Sequence, residues 1–330
     1  MKRVLTGLQP SGQLHLGNYA GAIRQVLDLQ EDHEMYVFVA SYHALTTVKD
    51  PEILRANIRQ SVIDYLAFGV DPDRCHIYLQ QDVPAVCELT WLLSCVCPKS
   101  QLDKSTTYKD KVAKGIPASA GLFNYPLLMA ADILAVDPDL VPVGKDQKQH
   151  VEITRDLAQK FNHAYGPERN SPVFKIPDLM LTEAGAVLPG IDGQKMSKSY
   201  GNLLDPFMPE KPLRKRIMKI VTDSKPPEEA KDAESSVPYQ IFAALAGPDD
   251  PRTLALKERY AATGEHGMGY GEAKQALFEL VMDTFAEARS RREALMQDQA
   301  EIDRVLKQGA DAANALLSKT IERARTAVGL

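Results

Sequence analysis

Two short segments that lie far apart in this chain carry residue types suited to binding phosphate. The segment Lys195–Ser199 places two ammonium groups and two hydroxyls within five residues, and these groups complement the charge and oxygens of a triphosphate. The segment Gln9–Asn18 contains glycines and opens a predicted helix, where free N–H groups and the helix dipole favour an anion. Either segment alone would fit a solvated loop. The candidate nucleotide ligands in the two segments are Gln9, Pro10, Ser11, His15, Gly17, Asn18, Lys195, Met196, Ser197, Lys198 and Ser199.

A third candidate for nucleotide binding is the run Gly144, Lys145, Asp146 and Gln147. It follows the apolar run Leu140–Val143 and precedes a predicted helix, which is the usual place for a ligand loop at the carboxyl end of a parallel strand. The alternative is an ordinary strand-to-helix turn with Asp146 as the helix N-cap.

An acidic residue stands on an otherwise apolar helical face. Tyr125, Met129 and Asp132 are spaced at i, i+4 and i+7, so they share one side of a helix. A buried, unpaired carboxylate would cost several kcal/mol, so Asp132 must have a partner. That partner could be an intramolecular Arg or Lys, or a helix cap. It could also be a donor on a bound aromatic molecule, with Tyr125 and Met129 packing on its ring.

The elements that must position these residues follow an α/β pattern. Short apolar runs predict buried strands at Val4–Leu8, Met35–Ala40, Cys75–Leu79 and Leu140–Val143. Helical spacing follows Asn18, and Asp50 and Pro51 form a cap and first turn for another helix. This alternation predicts a doubly wound parallel sheet.

Three regions of the chain are predicted to differ in architecture. Residues 1–204 form the α/β domain, within which Glu88–Phe161 is a mainly helical insertion. Residues 205–330 form an all-helical domain, because strand patterns nearly vanish after Ser199. Helices are predicted there at Pro212–Val221, Val237–Ala246, Glu272–Met296 and Glu301–Ala327.

Composition excludes several classes of protein. In 330 residues the net charge is −5, so a nucleic-acid partner would have to bind local basic patches. The four cysteines are Cys75, Cys87, Cys95 and Cys97; they contain no Cys-x-x-Cys and predict reduced core thiols rather than a metal site. No signal peptide or membrane-spanning stretch is expected, which predicts a soluble, cytoplasmic protein.

Several motifs together resemble the tryptophanyl-tRNA synthetases, a bacterial-type family of class I aminoacyl-tRNA synthetases. The motifs are Gln9–Gly12, Gly17-Asn18, Ser41–Thr46, Leu128–Leu134, Val141–Gly144, Asp146–His150 and Lys195–Ser199. The resemblance covers the whole chain and is least specific in its helical third. It implies a Rossmann-type catalytic domain, a homodimer formed through the insertion, and a helical domain that binds the tRNA anticodon.

The resemblance also implies the reaction and its partners. L-Tryptophan would attack the α-phosphate of ATP, with Mg²⁺ bound with the triphosphate, and the 2′-OH of the terminal adenosine of tRNA(Trp) would then accept the amino acid. His15 and Asn18 would contact phosphate oxygens, and Lys195 and Lys198 would stabilise the pyrophosphate as its charge grows. The resemblance further assigns catalytic roles to Gln9 and Lys111.

The tryptophan site implied by the resemblance consists of Asp132, which would accept the indole N–H, together with Met129, Tyr125, His43 and Gln147. Three departures from the family pattern are Asn18 in place of a histidine, Lys145 where an acidic residue is common, and Leu5 where an aromatic residue often lines the pocket. Lys145 could alter nucleotide affinity, and Leu5 could alter tryptophan affinity.

Other functions remain open from the residues alone. A tyrosyl-tRNA synthetase shares the fold and motifs, and Asp132 could equally accept a phenol O–H. A small-molecule adenylyl- or cytidylyltransferase, or a paralogue that binds tryptophan without charging tRNA, would carry similar phosphate segments. Two basic clusters, Lys211–Lys219 and Arg289–Arg292, are either solvated helix faces or contacts for tRNA phosphates.

Overall fold

The computed structural model describes residues 1–10, 12–166, 172–181 and 188–330. The strands are β1 (Lys2–Leu8), β2 (His33–Val39), β3 (Cys75–Leu79), β4 (Leu140–Val143) and β5 (Asp178–Leu181). The helices are α1 (Leu16–Asn18), α2 (Arg24–Leu29), α3 (Ser41–Ala44), α4 (Pro51–Phe68), α5 (Ala85–Ser94), α6 (Lys99–Asp103), α7 (Thr106–Ala113), α8 (Ala120–Ala135), α9 (Lys148–Tyr165), α10 (Glu210–Ile217), α11 (Val237–Ala246), α12 (Pro251–Ala261), α13 (Tyr270–Thr284), α14 (Ala286–Gln297) and α15 (Gln299–Val328). A π-helix at Tyr19–Ile23 joins α1 to α2.

The strands form one parallel sheet in the order β3-β2-β1-β4-β5. Pairing of β1 with β2 runs in register from Lys2 opposite His33 to Leu8 opposite Val39. The chain therefore builds outward from β1 to β3 and returns to place β4 on the other side of β1. The order reverses between β1 and β4, which is the topological switch point of a doubly wound sheet. The predicted fold class is confirmed.

Local sequence accounts for most of the elements. All four predicted strands are present, and α4 begins where Asp50 accepts hydrogen bonds from Glu52 N (2.8 Å) and Ile53 N (3.1 Å). It ends at Gly69, whose φ of 107° suits a left-handed C-cap. The pattern failed to indicate the short strand β5 and the helix α12. The single helix predicted at Glu272–Met296 is two helices, α13 and α14.

Some side chains predicted to lie in the core are exposed. Only Cys75 is a buried thiol, whereas Cys87 and Cys95 are exposed and Cys97 is half-buried; all four are free. The prediction of core thiols is wrong for the last three. Along α5, successive residues point about 100° apart, so Trp91 is exposed whereas its neighbours Leu92 and Leu93 are buried. Leu92 and Leu93 pack in the core of the chain itself.

The described chain divides into two compact units that do not follow chain order. The first comprises Met1–Gly12, Val26–Glu183 and Leu295–Leu330, and the second comprises Gln13–Gln25 and Ala184–Ala294. This division differs from the predicted boundary between residues 204 and 205, because α15 packs on the sheet of the first unit. The assignment of residues 205–330 to anticodon binding stays a prediction.

Helix α15 joins the first unit through both backbone packing and ion pairs. Its Gly309 lies against the carbonyl of Ile77 in β3. Near its end, Arg325 forms a two-pronged pair with Glu88 at 2.6 Å for each contact, and Arg323 pairs with Asp137 at 2.7 Å. Within the described ranges, none of the helices is both long and apolar enough to cross a membrane.

Candidate active site

In the first unit, the ends of four parallel strands supply the candidate residues. Gln9 and Pro10 follow β1, His43 lies in α3 just after β2, Gln80 follows β3, and Gly144 follows β4. The carboxyl ends of parallel strands lie at one edge of the sheet. Two of these segments, those after β1 and β4, flank the switch point, where ligands of doubly wound sheets bind.

The carboxylate of Asp132 is buried, with the residue only 3% exposed. His43 Nε2 lies 2.9 Å from Asp132 Oδ2. Gln80 Nε2 donates to Asp132 Oδ1 at 2.9 Å and to Oδ2 at 2.8 Å. Asp132 therefore has the intramolecular partners that its burial requires, but they are neither an Arg or Lys nor a helix cap.

Burial raises the pKa of Asp132, because desolvation penalises the charged form, while the hydrogen bonds from His43 and Gln80 act in the opposite direction. The hydrogen bonds from His43 and Gln80 therefore stabilise the ionised form of Asp132 and partly oppose the effect of burial. His43 was predicted to border this site. Gln80 was not predicted. The available signal was the requirement for a donor opposite Asp132, but one glutamine after a strand has no periodic pattern that would single it out.

Tyr125 links two further basic side chains. Its hydroxyl hydrogen-bonds with Nε2 of His150, and the Lys111 ammonium lies 4.9 Å from the centre of its ring. The His43 ring meets Tyr125 edge-on, with ring centroids 6.3 Å apart. Burial lowers the pKa of His150 to about 4, so this imidazole is neutral at physiological pH. The structure thus brings together Tyr125, His43, Asp132 and Lys111.

The loop after β4 forms a short 3-10 helix before α9. Gly144 is its N-cap, and Lys145 and Asp146 are exposed. The Gln147 amide donates to Asp146 Oδ2 at 2.9 Å. Asp146 is therefore not the N-cap of α9, as the alternative interpretation required. A Cβ at position 144 would lie 2.8 Å from Asp146 Oδ1, so a larger residue at this position would clash with the Asp146 carboxylate.

An open cavity of about 360 Å³ lies beside the candidate tryptophan residues. His43 and Tyr125 line it, together with Tyr42, Leu45 and Leu128. Asp132, Met129 and Gln147 do not line it. Two of the five predicted tryptophan residues border this cavity, so the cavity adjoins the Asp132 network without containing it.

In the second unit, the His15–Asn18 part of the first candidate phosphate-binding segment lies beside the second candidate segment, Lys195–Ser199. A Cβ at Gly17 would lie 3.0 Å from the His15 imidazole and 3.7 Å from Met196 Sδ. Burial lowers the pKa of His15 to about 4, and the charge of Lys198 adds to this effect. His15 is therefore a neutral side chain. Its backbone N–H donates to Asn18 Oδ1 at 3.1 Å, which fixes the start of α1.

The Lys195–Ser199 segment is shaped by a residue that was not predicted. Asn202 is 2% exposed; its Oδ1 accepts from Ser197 N at 2.8 Å, and its Nδ2 donates to Lys195 O at 3.1 Å and to Asp192 Oδ1 at 2.7 Å. Met196 is buried, whereas Lys195 is exposed. The loop is thus anchored from within while the Lys195 ammonium faces solvent. Ser11 lies outside the described residues, and the side chain of Ser199 is not described.

Comparisons with known proteins identify the family to which the chain belongs. The family model for class I tRNA synthetases (W and Y) matches residues 1–286. Tryptophan–tRNA ligases of Rhodopirellula baltica and Fusobacterium nucleatum are 48% and 46% identical, over 99% and 100% of this chain and 99% and 98% of theirs. A crystal structure of Campylobacter jejuni tryptophanyl-tRNA synthetase complexed with ADP and tryptophan is 44% identical, with a TM-score of 0.90, and covers 99% of this chain and 100% of that one.

The doubly wound sheet with its switch point and the two candidate phosphate-binding segments are consistent with a class I aminoacyl-tRNA synthetase, the class whose family model matches the chain. A tyrosyl-tRNA synthetase from Aeropyrum pernix, 20% identical with a TM-score of 0.67, shares the fold alone. The chain belongs to the class I tRNA synthetases of the tryptophan and tyrosine group and, within that group, to the tryptophan–tRNA ligase family.

Proposed function

We propose that this protein activates L-tryptophan with ATP and transfers it to the 3′-terminal adenosine of tRNA(Trp). The observation that carries the proposal is the buried Asp132 carboxylate, whose donors come from the ends of β2 and β3. A buried acceptor among apolar side chains suits one hydrogen-bond donor on an otherwise apolar ring. The indole of tryptophan is such a ring.

Tryptophan recognition is assigned to the first unit. Asp132 accepts the indole N–H, Met129 packs on the ring, and His43 and Tyr125 border it. Gln147, after β4, also borders the tryptophan site. A phenol O–H would satisfy the same carboxylate, so Asp132 alone does not distinguish tryptophan from tyrosine. Membership of the tryptophan–tRNA ligase family favours tryptophan.

ATP binding is assigned to the candidate residues of the sequence motifs. These are Gln9, Pro10, Ser11, the Gly144–Gln147 loop, His15, Gly17, Asn18 and Lys195–Ser199. The residues described contain no group of three or more His, Cys, Asp or Glu that could hold a metal ion. Mg²⁺ is accordingly assigned to the triphosphate itself, a common mode for this cation.

The first step forms one bond and breaks one. An oxygen of the tryptophan carboxylate attacks the α-phosphorus, the bond from that phosphorus to the bridging oxygen breaks, and pyrophosphate leaves. The leaving group gains negative charge, which Lys195 and Lys198 stabilise, with Lys111 as a further cation. A neutral His15 acts as a hydrogen-bond partner of phosphate oxygens, because its lowered pKa leaves it uncharged.

The second step transfers the amino acid to tRNA. The 2′-OH of the terminal adenosine attacks the carbonyl carbon of the adenylate, and AMP leaves. Among the basic clusters, Lys211, Arg214, Lys215 and Lys219 on and after α10 are exposed, and these side chains suit phosphate contacts. By contrast, Arg289 donates to the backbone carbonyls of Pro206 and Met208, so its guanidinium has a structural role.

A homodimer is proposed on the surface that carries Trp91. This side chain is 69% exposed on α5, and Leu45 is 50% exposed beside the open cavity. Exposed aromatic and aliphatic side chains next to a concave apolar surface are typical of subunit interfaces. The predicted insertion Glu88–Phe161 contains Trp91 and most of the residues that line the open cavity. The cytoplasmic location stays a prediction.

Pyrophosphate exchange into ATP, measured with each of the twenty amino acids, tests the proposed function. We expect stimulation by tryptophan, and charging of tRNA(Trp) when tRNA is supplied. Stronger exchange with tyrosine would contradict the choice of amino acid. Exchange without charging would identify a paralogue that activates tryptophan for another purpose.

A further inference from the structure

Gln80 is a fully buried polar residue to which the reaction described above assigns no role. It lies immediately after β3, in a 3-10 turn that spans Gln80–Asp82. Its side chain reaches two other elements. Its Nε2 bonds both oxygens of Asp132 on α8, and its Oε1 accepts from Tyr42 N at 2.9 Å, at the start of α3. One amide therefore connects three elements at the edge of the sheet where the candidate ligand residues lie.

The contact with Tyr42 fixes which way the amide points. A backbone N–H can only donate, so it requires the oxygen of the Gln80 amide. The NH₂ group must then face Asp132, and rotation of the amide by half a turn would place one donor against another. The backbone N–H of Tyr42 at the start of α3 therefore determines that the NH₂ group of Gln80, rather than its oxygen, faces Asp132.

The hydrogen bonds at Asp132 leave a defined acceptor free. A carboxylate has about four lone-pair sites on its two oxygens. Oδ2 accepts from both His43 and Gln80, whereas Oδ1 accepts from Gln80. Oδ1 thus has more remaining acceptor capacity than Oδ2. An indole N–H arriving at this carboxylate would be directed to Oδ1.

We propose that Gln80 is the positioning residue for Asp132, holding the carboxylate in one orientation so that Oδ1 accepts the indole N–H of tryptophan. This inference rests on the proposed function. The other titratable groups that act on Asp132 or are influenced by it are His43 in α3, Tyr78 in β3 and Cys87 in α5. None of them bonds both carboxylate oxygens. Gln80 therefore controls the orientation of the carboxylate plane.

Replacement of Gln80 by methionine keeps similar volume and removes both amide groups. Without its donor, Asp132 takes up a proton at higher pH and is less ordered. In pyrophosphate exchange we expect the KM for tryptophan to rise about tenfold, as for loss of a hydrogen bond to a charged group, while kcat is almost unchanged. The loss of affinity on acidification should begin at higher pH than in the wild type.

Gln30→Met is the matched control. Gln30 is also a buried glutamine of the first unit; its Oε1 accepts from Asp71 N at 3.0 Å, and its Nε2 donates to Gly69 O at 3.2 Å. The chemical change is the same, but Gln30 does not bond Asp132. The KM of Gln30→Met for tryptophan and the pH profile of this variant should match those of the wild type. Equal profiles for the two methionine variants would overturn the inference.

A tryptophan analogue with sulfur in place of the indole N–H separates positioning from collapse of the pocket. Its KM should be nearly the same in the wild type and in Gln80→Met, because it makes no bond to Asp132. An equal rise in KM for both ligands would show that Gln80 only supports the fold. If Gln80→Met does not fold, Gln80→Glu retains the acceptor for Tyr42 N and sets a second carboxylate beside Asp132. It should likewise move the acid limb to higher pH, and an unmoved limb would refute the role.

The wild-type measurement distinguishes this inference from the function on which it rests. If the wild type gives no tryptophan-dependent exchange, the proposed function fails. If it does, and the Gln80 variants behave like Gln30→Met, only the positioning role fails.

Discussion

Gly309 of α15 lies directly against the backbone of Ile77 in β3: a Cβ at position 309 would be 2.0 Å from the Ile77 carbonyl oxygen. Such a distance is far below van der Waals contact, and the obstacle is backbone rather than a flexible side chain. The last helix therefore approaches β3, which stands at one end of the strand order, more closely than any other residue type would permit. This contact makes the end of the chain part of the sheet unit.

Gly309→Ala should destabilise the protein. Alanine improves helix propensity, but the overlap with Ile77 requires α15 to move, and overpacking typically costs about 1–3 kcal/mol. Gly271→Ala in α13 is the control, because a Cβ there meets nothing within 4 Å. Because Gly271 is the second residue of α13, that variant should be stabilised by less than the ~0.5–1 kcal/mol that applies in the middle of a helix. Urea unfolding of both variants checks the prediction, and a stabilised Gly309→Ala would contradict the close packing.

The elements near the amino terminus were predictable because the signals are local. Continuous apolar runs identify buried parallel strands, and Asp50 with Pro51 specifies where α4 begins. The return of α15 to β3 was not predictable. An amphipathic pattern shows which side of a helix is buried, but not which element covers it. Gly309 is a weak signal by itself, since a glycine within a helix has several explanations.

In the candidate site, charged residues could be predicted from the sequence, whereas the neutral amide side chains could not. The lysines of Lys195–Ser199 and the apolar surroundings of Asp132 are unusual in composition, so they attract attention. Gln80 and Asn202 carry no charge and follow no period. Their importance depends on burial and on three-dimensional neighbours, which a spacing argument does not supply. Both hold a predicted residue or segment in place.

Lys195→Ala and Lys198→Ala should each lower the rate of adenylation by about 10²–10³, the usual effect of losing one electrostatic contact to charge that develops in the transition state. Tryptophan affinity should change little, because tryptophan binding is assigned to other residues. Single-turnover formation of the adenylate measures the rate of adenylation, and equilibrium binding measures the affinity for tryptophan. Lys225→Ala, which removes an exposed lysine of the same unit, should affect neither. A loss confined to tryptophan affinity would refute the role.

Replacement of Lys211, Lys215 and Lys219 by glutamine should raise the KM for tRNA and leave tryptophan-dependent exchange intact. Each lost phosphate contact should reduce the log–log salt slope by about 0.9 on duplex and about 0.7 on single strands, with DNA values as the guide. Lys257→Gln is the control, since this exposed lysine of the same unit is paired with Glu234. An unchanged slope in the triple variant would mean that the lysines form a solvated helix face.

Trp91→Ser should weaken the proposed homodimer, because the side chain is largely exposed and lies on the surface assigned to the interface. Sedimentation should show the wild type as a dimer and the variant shifted toward monomer at the same concentration. Leu254→Ser, which removes a 48% exposed apolar side chain of the second unit, should sediment as the wild type does. A wild type that is a fully active monomer would disprove the dimer.

Asp132→Asn should separate ligand affinity from folding stability. With its oxygen at the Oδ1 position, an asparagine can accept from Gln80 and can donate to His43 Nε2 in the neutral tautomer. Two of the three internal contacts then survive, and the contact of Gln80 with Oδ2 is lost. The bond to the indole N–H loses its charge. Hydrogen bonds to charged groups contribute about 1.5–3 kcal/mol, compared with about 1 kcal/mol for neutral ones, so tryptophan affinity should fall about tenfold.

The stability of Asp132→Asn should depend on pH in a definite direction. Burial raises the pKa of Asp132, so the folded state retains the proton to higher pH than the unfolded chain does. Wild-type stability therefore falls as pH rises from the unfolded value, about 3.9, through the raised one, and the loss persists at neutral pH. The variant has no such group. Compared with the wild type, it should be relatively more stable at neutral pH than at acid pH, as measured by thermal unfolding.

The sulfur analogue of tryptophan completes the test of Asp132. Wild type should bind it poorly, because the carboxylate then faces an atom that donates no hydrogen bond. Asp132→Ala should bind the analogue about as well as tryptophan, since neither ligand finds an acceptor there, and tryptophan should suffer more from this change than from Asp132→Asn. Calorimetric titration of both ligands gives the comparison. If the wild type binds the two ligands equally, Asp132 is a structural carboxylate that serves His43 and Gln80 alone, and the indole is recognised elsewhere.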